Sequence, residues 1–233
     1  MNLSKVRIEI GLPAPLRLLH VSDTHLALAD GRDGERKQAL AARRSAAFGK
    51  EGDCLRYFSE AVAYARNCCD LMICTGDLID FVSAKNLDTA KEMLSGTDYF
   101  FAAGNHEFSK YVGEAVEDEA YKLDSLPLVQ RYIGNDLRFA SRLVGGVNLV
   151  AVDNSYYLFR PEELEAFRRE VEKGYPILLL LHNPLHTDAL YREMMVNRRN
   201  ECAYLVGTPE ELLETYPAAS SGRTGRRWPS SIT

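Results

Sequence analysis

Four short segments concentrate the chain's chemistry: Asp23-Thr24-His25, Gly76-Asp77, Gly104-Asn105-His106-Glu107 and His182-Asn183-Pro184. Their carboxylates, amide and imidazoles are oxygen and nitrogen donors with no thiolate among them. Such a set suits divalent Mn, Fe or Zn rather than a soft-metal site. Asp23 and His25 are two residues apart, so in an extended segment both side chains point the same way and grip one ion. Asp77 has two oxygens and can bridge two ions. Gly76 and Gly104 let the backbone turn sharply, so that the next side chain faces the site. Asn105 offers a neutral oxygen, which limits the negative charge packed around the ions.

Each segment follows an apolar run with the composition of a buried strand: 16–22, 70–75, 99–103 and 176–181. A fifth run, 147–152, belongs to an expected hairpin over 138–153 that turns at Gly145-Gly146. Leu55, Phe58, Val62 and Ala65 mark one apolar helix face, and Leu164, Phe167 and Val171 a second. The second helix has Pro161 at its start and Gly174 past its end. A third helix is expected from Thr208 to about residue 215, with Pro209 and Glu211 completing a capping-box pattern. Strands alternating with helices imply a layered α/β fold, antiparallel in part because of the hairpin. Open α/β sheets gather ligands outside the carboxyl ends of their strands, so four strand ends deliver their polar groups to one rim. The charge-dense segment 29–50 reads as a solvated loop and helix on the surface, with a substrate-gating loop as the alternative.

The chain has 233 residues, 46% of them hydrophobic, enough for one large domain with a central sheet. The longest purely aliphatic run is Ile177 to Leu181, too short to span a membrane. Five cysteines, 54, 68, 69, 74 and 202, fit neither a zinc pattern nor a disulfide framework and read as buried thiols. With no apolar secretory segment at the N-terminus, they point to a cytoplasmic protein. Net charge is -5. The last sixteen residues contribute three arginines and no acid, so the body is more acidic still. An acidic body argues against nucleic acid as the partner, because a non-specific binder needs a basic footprint.

The motifs D-x-H (Asp23, His25), G-D (Gly76, Asp77), G-N-H-E (Gly104 to Glu107) and H-x-P (His182, Pro184), in this order and each after a strand, resemble those of the calcineurin-like metallophosphoesterases. The resemblance runs from about Leu16 to about Tyr216. It implies an α/β/β/α-type sandwich with mixed sheets and two divalent metal ions, Mn, Fe or Zn. By resemblance Asp23, His25 and Asp77 hold the first ion, and Asp77, Asn105 and His182 the second. His106 binds no ion and faces the leaving group as catalytic acid. Glu107, beside it, is a candidate to stand behind the ligands; the resemblance gives Asp80 no role, and Asp80 is a candidate to orient an active-site group. The implied reaction is attack of a bridging hydroxide on a phosphate mono- or diester, with a phosphorylated small molecule or a phosphodiester as substrate.

One family motif is missing. A later G-H-x-H would complete both ions, yet no histidine follows His186. His186 is a candidate stand-in or, in preference, a residue lining the substrate cleft. After Pro217 the text changes to "AASSGRTGRRWPSSIT", which holds no apolar period and reads as a disordered tail, 218–233, behind a phosphoesterase domain over 1–217. Together these features read as a sheet lacking its C-terminal strands through truncation or a shifted frame, with a natural flexible tail on a diverged member as the alternative. The alternatives are an inactive member that binds a partner or nothing, and a nuclease on the same fold.

Overall fold

The structure is a computed structural model and describes residues 2–112, 118–156 and 159–198. The expected helix at 208–215, the tail after Pro217 and Cys202 lie outside these residues.

Among the described residues six strands form two three-stranded sheets. In the first, β1 (Leu18–Val21), β2 (Leu71–Cys74) and β3 (Tyr99–Phe101) are all parallel. In the second, β4 (Phe139–Val144) pairs antiparallel with β5 (Val147–Val152), and β6 (Ile177–Leu180) adds parallel to β5. The strand period of two sorts side chains between layers. Leu71, Ile73 and Phe100 meet Val147, Leu149, Ala151 and Leu180 between the sheets. Met72, Cys74 and Phe101 face outward onto α2 (Asp53–Cys68) and α3 (Ala84–Leu94). On the opposite outside, Val150 and Val152 pack on Phe167 of α5 (Pro161–Glu172). The order is therefore helix, sheet, sheet, helix, the expected α/β/β/α sandwich. Strands clothed on both faces explain why their sequences are apolar runs rather than alternating patterns. Among the described residues the outer edge of β6 has no partner strand.

Segment 29–50 is more than a solvated excursion. It carries α1 (Gly34–Arg44), whose Leu40 and Ala41 pack with Phe81 in a small core of their own. Asp33 caps the start of α3, accepting from the Ala84 and Lys85 backbones, and Lys37 donates to the Val82 carbonyl at 2.5 Å. The arm is thus docked along one side. Of the four described cysteines only Cys74 is buried and Cys68 is exposed, so the expectation of buried thiols holds for one of them.

α4 (Glu119–Gln130) meets β5 through a buried ion pair, Lys122 Nζ to Asp153 Oδ2 at 2.8 Å. The ammonium also lies over the rings of Phe108 and Tyr156. Removing one partner of such a pair strands the other charge in a dry site. Lys122→Met should lower stability by about 3–5 kcal/mol, read as a drop in the urea midpoint with an unchanged slope. A loss below about 1 kcal/mol, the value of an exposed pair, would show that water reaches Asp153.

Candidate metal centre

The first three polar segments leave β1, β2 and β3 at the same end of the first sheet, and the fourth leaves β6 beside them. Beyond the strands the first two loops stay hydrogen-bonded: Asp23 N–H to the Gly76 carbonyl (3.0 Å), His25 N–H to that of Asp77 (2.9 Å) and Leu26 N–H to that of Leu78 (2.9 Å). Asp23, His25 and Asp77 have φ of 55°, 46° and 53° and are the only non-glycine residues with positive φ among the described residues. Left-handed backbone in bulky residues is costly and gathers at functional sites. The extended geometry expected for Asp23 and His25 is therefore wrong. A kink at each residue, held by the neighbouring loop, aims both side chains instead.

Gly76 and Gly104 stand back to back. A Cβ on Gly76 would lie 2.8 Å from His182 Nδ1 and collide with the Gly104 backbone, and one on Gly104 would strike Asp77. The glycines serve close approach of two loops as much as turning. Glu107 is fully inside. Its carboxylate accepts from the backbone N–H groups of Asp77 (2.8 Å), Leu78 (2.8 Å) and Gly104 (2.7 Å). Burial, helped by the charge on Asp77, pushes Glu107 up to about 7.

Three imidazoles are held by Nδ1. His182 donates to the Thr75 carbonyl (2.8 Å) and His106 to the Asp80 carbonyl (2.7 Å), because a carbonyl oxygen only accepts. His25 Nδ1 lies 3.1 Å from the Asp80 carboxylate. Each ring keeps Nε2 for another partner. Nε2 of His25 and of His182 lie 3.7 and 3.4 Å from the same atom, Asp77 Oδ2, while Asp77 Oδ1 accepts from the His106 N–H at 3.0 Å. His25 Nε2 is also 3.8 Å from Asp23 Oδ1. These separations are long for hydrogen bonds. They are near those of two atoms that each lie about 2.1 Å from one ion, roughly 3.0–3.6 Å apart at angles of 90–120°.

Donor atoms of His25, Asp77 and His106 lie within 4.8 Å of one another, as do those of Asp23, Asp77 and His182. Asp77 is common to both groups. The grouping differs from the resemblance twice, placing His106 with His25 and Asp23 with His182, although Asp23 Oδ1 also lies 3.8 Å from His25 Nε2. Asn105 is half-buried in the same turn, its carbonyl accepting from Phe108 N–H (3.1 Å) and the Ser109 hydroxyl (3.1 Å). His186 belongs to neither group. It lies 3.9 Å from Asp188 and edge-on to Tyr191. His20 is exposed and bonds the Thr75 hydroxyl at 2.7 Å.

Asp80 sits behind the site, fully buried. Arg44 of α1 donates to it twice, Nε to Oδ2 (2.7 Å) and Nη2 to Oδ1 (2.8 Å). Burial would raise the Asp80 carboxyl, but these bonds and His25 outweigh it and hold it down at about 2. Sequence reasoning missed Arg44, which is one of many charges in its arm and carries no motif. It also left Asn154 without a role, although that residue lies just past a strand end. The Asn154 side chain accepts from the His182 (3.1 Å) and Asn183 (3.2 Å) backbones and donates to the Asn183 carbonyl (2.6 Å), fixing the fourth loop.

Burial alone would lower the pKa values of His25 and His182. Bonds from His25 to Asp23 and Asp80, and from His182 to Asp77, prevail and raise both to about 9. An unfolded imidazole releases its proton near 6.5. In ion-free protein this contribution to stability should be complete below pH 6.5 and fade as pH climbs through 9. A divalent ion must displace one of these protons at each position. Affinity for Mn²⁺ should therefore rise about tenfold per pH unit up to pH 9 and then level off, with about one proton released per ion. Titration calorimetry in buffers of different ionisation enthalpy reads both quantities. Flat affinity between pH 7 and 9 would contradict the charge state described.

No curated protein matches the chain. The family model of the calcineurin-like phosphoesterases matches residues 16–213, and the chain belongs to that family.

Proposed function

We propose that this member of the calcineurin-like phosphoesterases hydrolyses phosphate mono- or diesters at a dinuclear centre built on Asp77. The observation that carries the reading is the convergence of two Nε2 atoms, from loops on different sheets, on a single carboxylate oxygen. Asp23, His25 and Asp77 would hold one ion, and Asp77, Asn105 and His182 the other. The donor set fits Mn, Fe or Zn, being all oxygen and nitrogen with each imidazole anchored behind by Nδ1. Two such ions would supply an activated water and neutralise charge on the phosphate.

The chain's own groups do the rest. Asp77 stays fixed because Glu107 holds its backbone and His106 N–H holds its second oxygen. His106, locked through Nδ1, offers Nε2 to the leaving oxygen and, as the imidazolium, donates a proton there. Asp80 restrains both His25 and His106, so ligand and acid keep a fixed relation. The Asp23 side chain is 57% exposed and marks the open side by which substrate arrives.

Asp77→Ala should remove both ions together, read by elemental analysis after desalting. Retention of either at full occupancy would sink the bridging assignment.

His106→Ala should keep both ions and lose turnover on the order of 10²–10⁴-fold, more on alkyl than on p-nitrophenyl phosphates. Loss of an ion from this variant would make His106 a ligand instead. An unaltered protein that binds Mn²⁺ yet hydrolyses no ester would leave a binding role in place of catalysis.

A further inference from the structure

The arm reaches the site with an aromatic ring. Phe48, four residues past α1, stacks on His25 with ring centroids 4.3 Å apart and planes 15° from parallel. The ring remains 52% exposed. The chain has nine phenylalanines, and Phe48 is the only exposed one. A fold that buries seven of the other eight and half-buries Phe139 leaves this one open on the rim of its polar site. Its position is also held firmly. The Arg44–Asp80 fork, the Asp33 cap on α3 and the Lys37 bond to Val82 tie the arm down on the side facing the first sheet. Arg44 lies 5.4 Å from the ring centroid, so a cation borders the same surface.

A phosphate held between His25, Asp77 and His182 would bring its ester group within reach of this ring. A small alkyl group would leave the apolar ring in water. A planar group could cover it by offset or edge-to-face contact. We propose that Phe48 is a specificity-determining residue that selects phosphoesters carrying a planar aromatic group, whether an aryl ring or a nucleobase. The inference rests on the hydrolase reading and names the substrate class for that site.

Binding of non-hydrolysable phosphonates to the Mn²⁺-loaded full chain tests it. Phenylphosphonate should bind about 2- to 12-fold more tightly than methylphosphonate, the range expected for one aromatic contact. Phe48→Ala and Phe48→Leu should both bring that ratio to about one, while Phe48→Trp preserves it. Leu keeps apolar cover over His25 without a planar face, so it separates recognition from mere shielding. A ratio kept in the Leu variant would overturn the inference. So would equal affinities in the unaltered protein. A nucleoside phosphonate measured beside phenylphosphonate distinguishes the two aromatic sources, the tighter and Phe48-dependent one being the group recognised. Preference for the aromatic ligand in a protein with no turnover would sink the hydrolase reading and keep this one. Turnover without preference would do the reverse.

Discussion

One buried carboxylate fixes the site. Glu107 takes backbone N–H groups from two loops, at Asp77 and Leu78 after β2 and at Gly104 after β3. These donors lie beyond the strands, where no ladder satisfies them, and buried N–H groups left alone are costly. Accepting several N–H bonds normally lowers a carboxyl's pKa. Here burial and the adjacent Asp77 push it the other way, which shows how dry and crowded the position is. Without Glu107, nothing else described would reconcile a left-handed Asp77 with a Gly104 backbone pressed against it.

From that clamp the other constraints follow in layers. Gly76 and Gly104 must lack side chains because the clamp draws their backbones together. Asp23 and His25 must kink because their N–H groups bind the clamped loop's carbonyls. His182 arrives from the second sheet, and Asn154 with the Thr75 carbonyl sets its depth and ring orientation. The inter-sheet core of Ile73, Phe100, Leu149 and Leu180 keeps the sheets in the register that brings His182 to Asp77. Asp80 and Arg44 then join the outer arm to the centre, so a segment with no strand of its own shapes the rim.

Five strands were legible because they read as apolar runs, and the half-exposed β4 was legible through the Gly145-Gly146 turn that joins it to β5. α2 and α5 were legible because one clean apolar face repeats. α3 and α4 were not. The buried face of α3 includes Asn86 and Thr89, and Asn86 is spent on the Leu28 and Phe81 backbones. That of α4 holds Lys122 and Ser125, with Pro127 inside the helix. Polar groups in the interior break the hydrophobic period on which sequence reading relies. At the site the residue types and their order could be read, but not the left-handed backbone. Arg44 and Phe48 were invisible because their partners lie tens of residues away.

The charges gathered at this rim suit protons and divalent ions alike. Asp23, Asp77 and Asp80 carry three negative charges close together, and Arg44 offsets one. Protons on His25 and His182, held up to about pH 9, offset the other two. The ion-free rim is thus close to balanced, apart from Glu107, so the carboxylates do not force the loops apart. Exchanging two protons for two divalent ions would leave the rim with a surplus of two positive charges. A phosphate dianion carries the matching negative charge. On the proposed function, the same imidazoles offset the acids while protonated and, on losing their protons to two ions, would let the rim take up a phosphate.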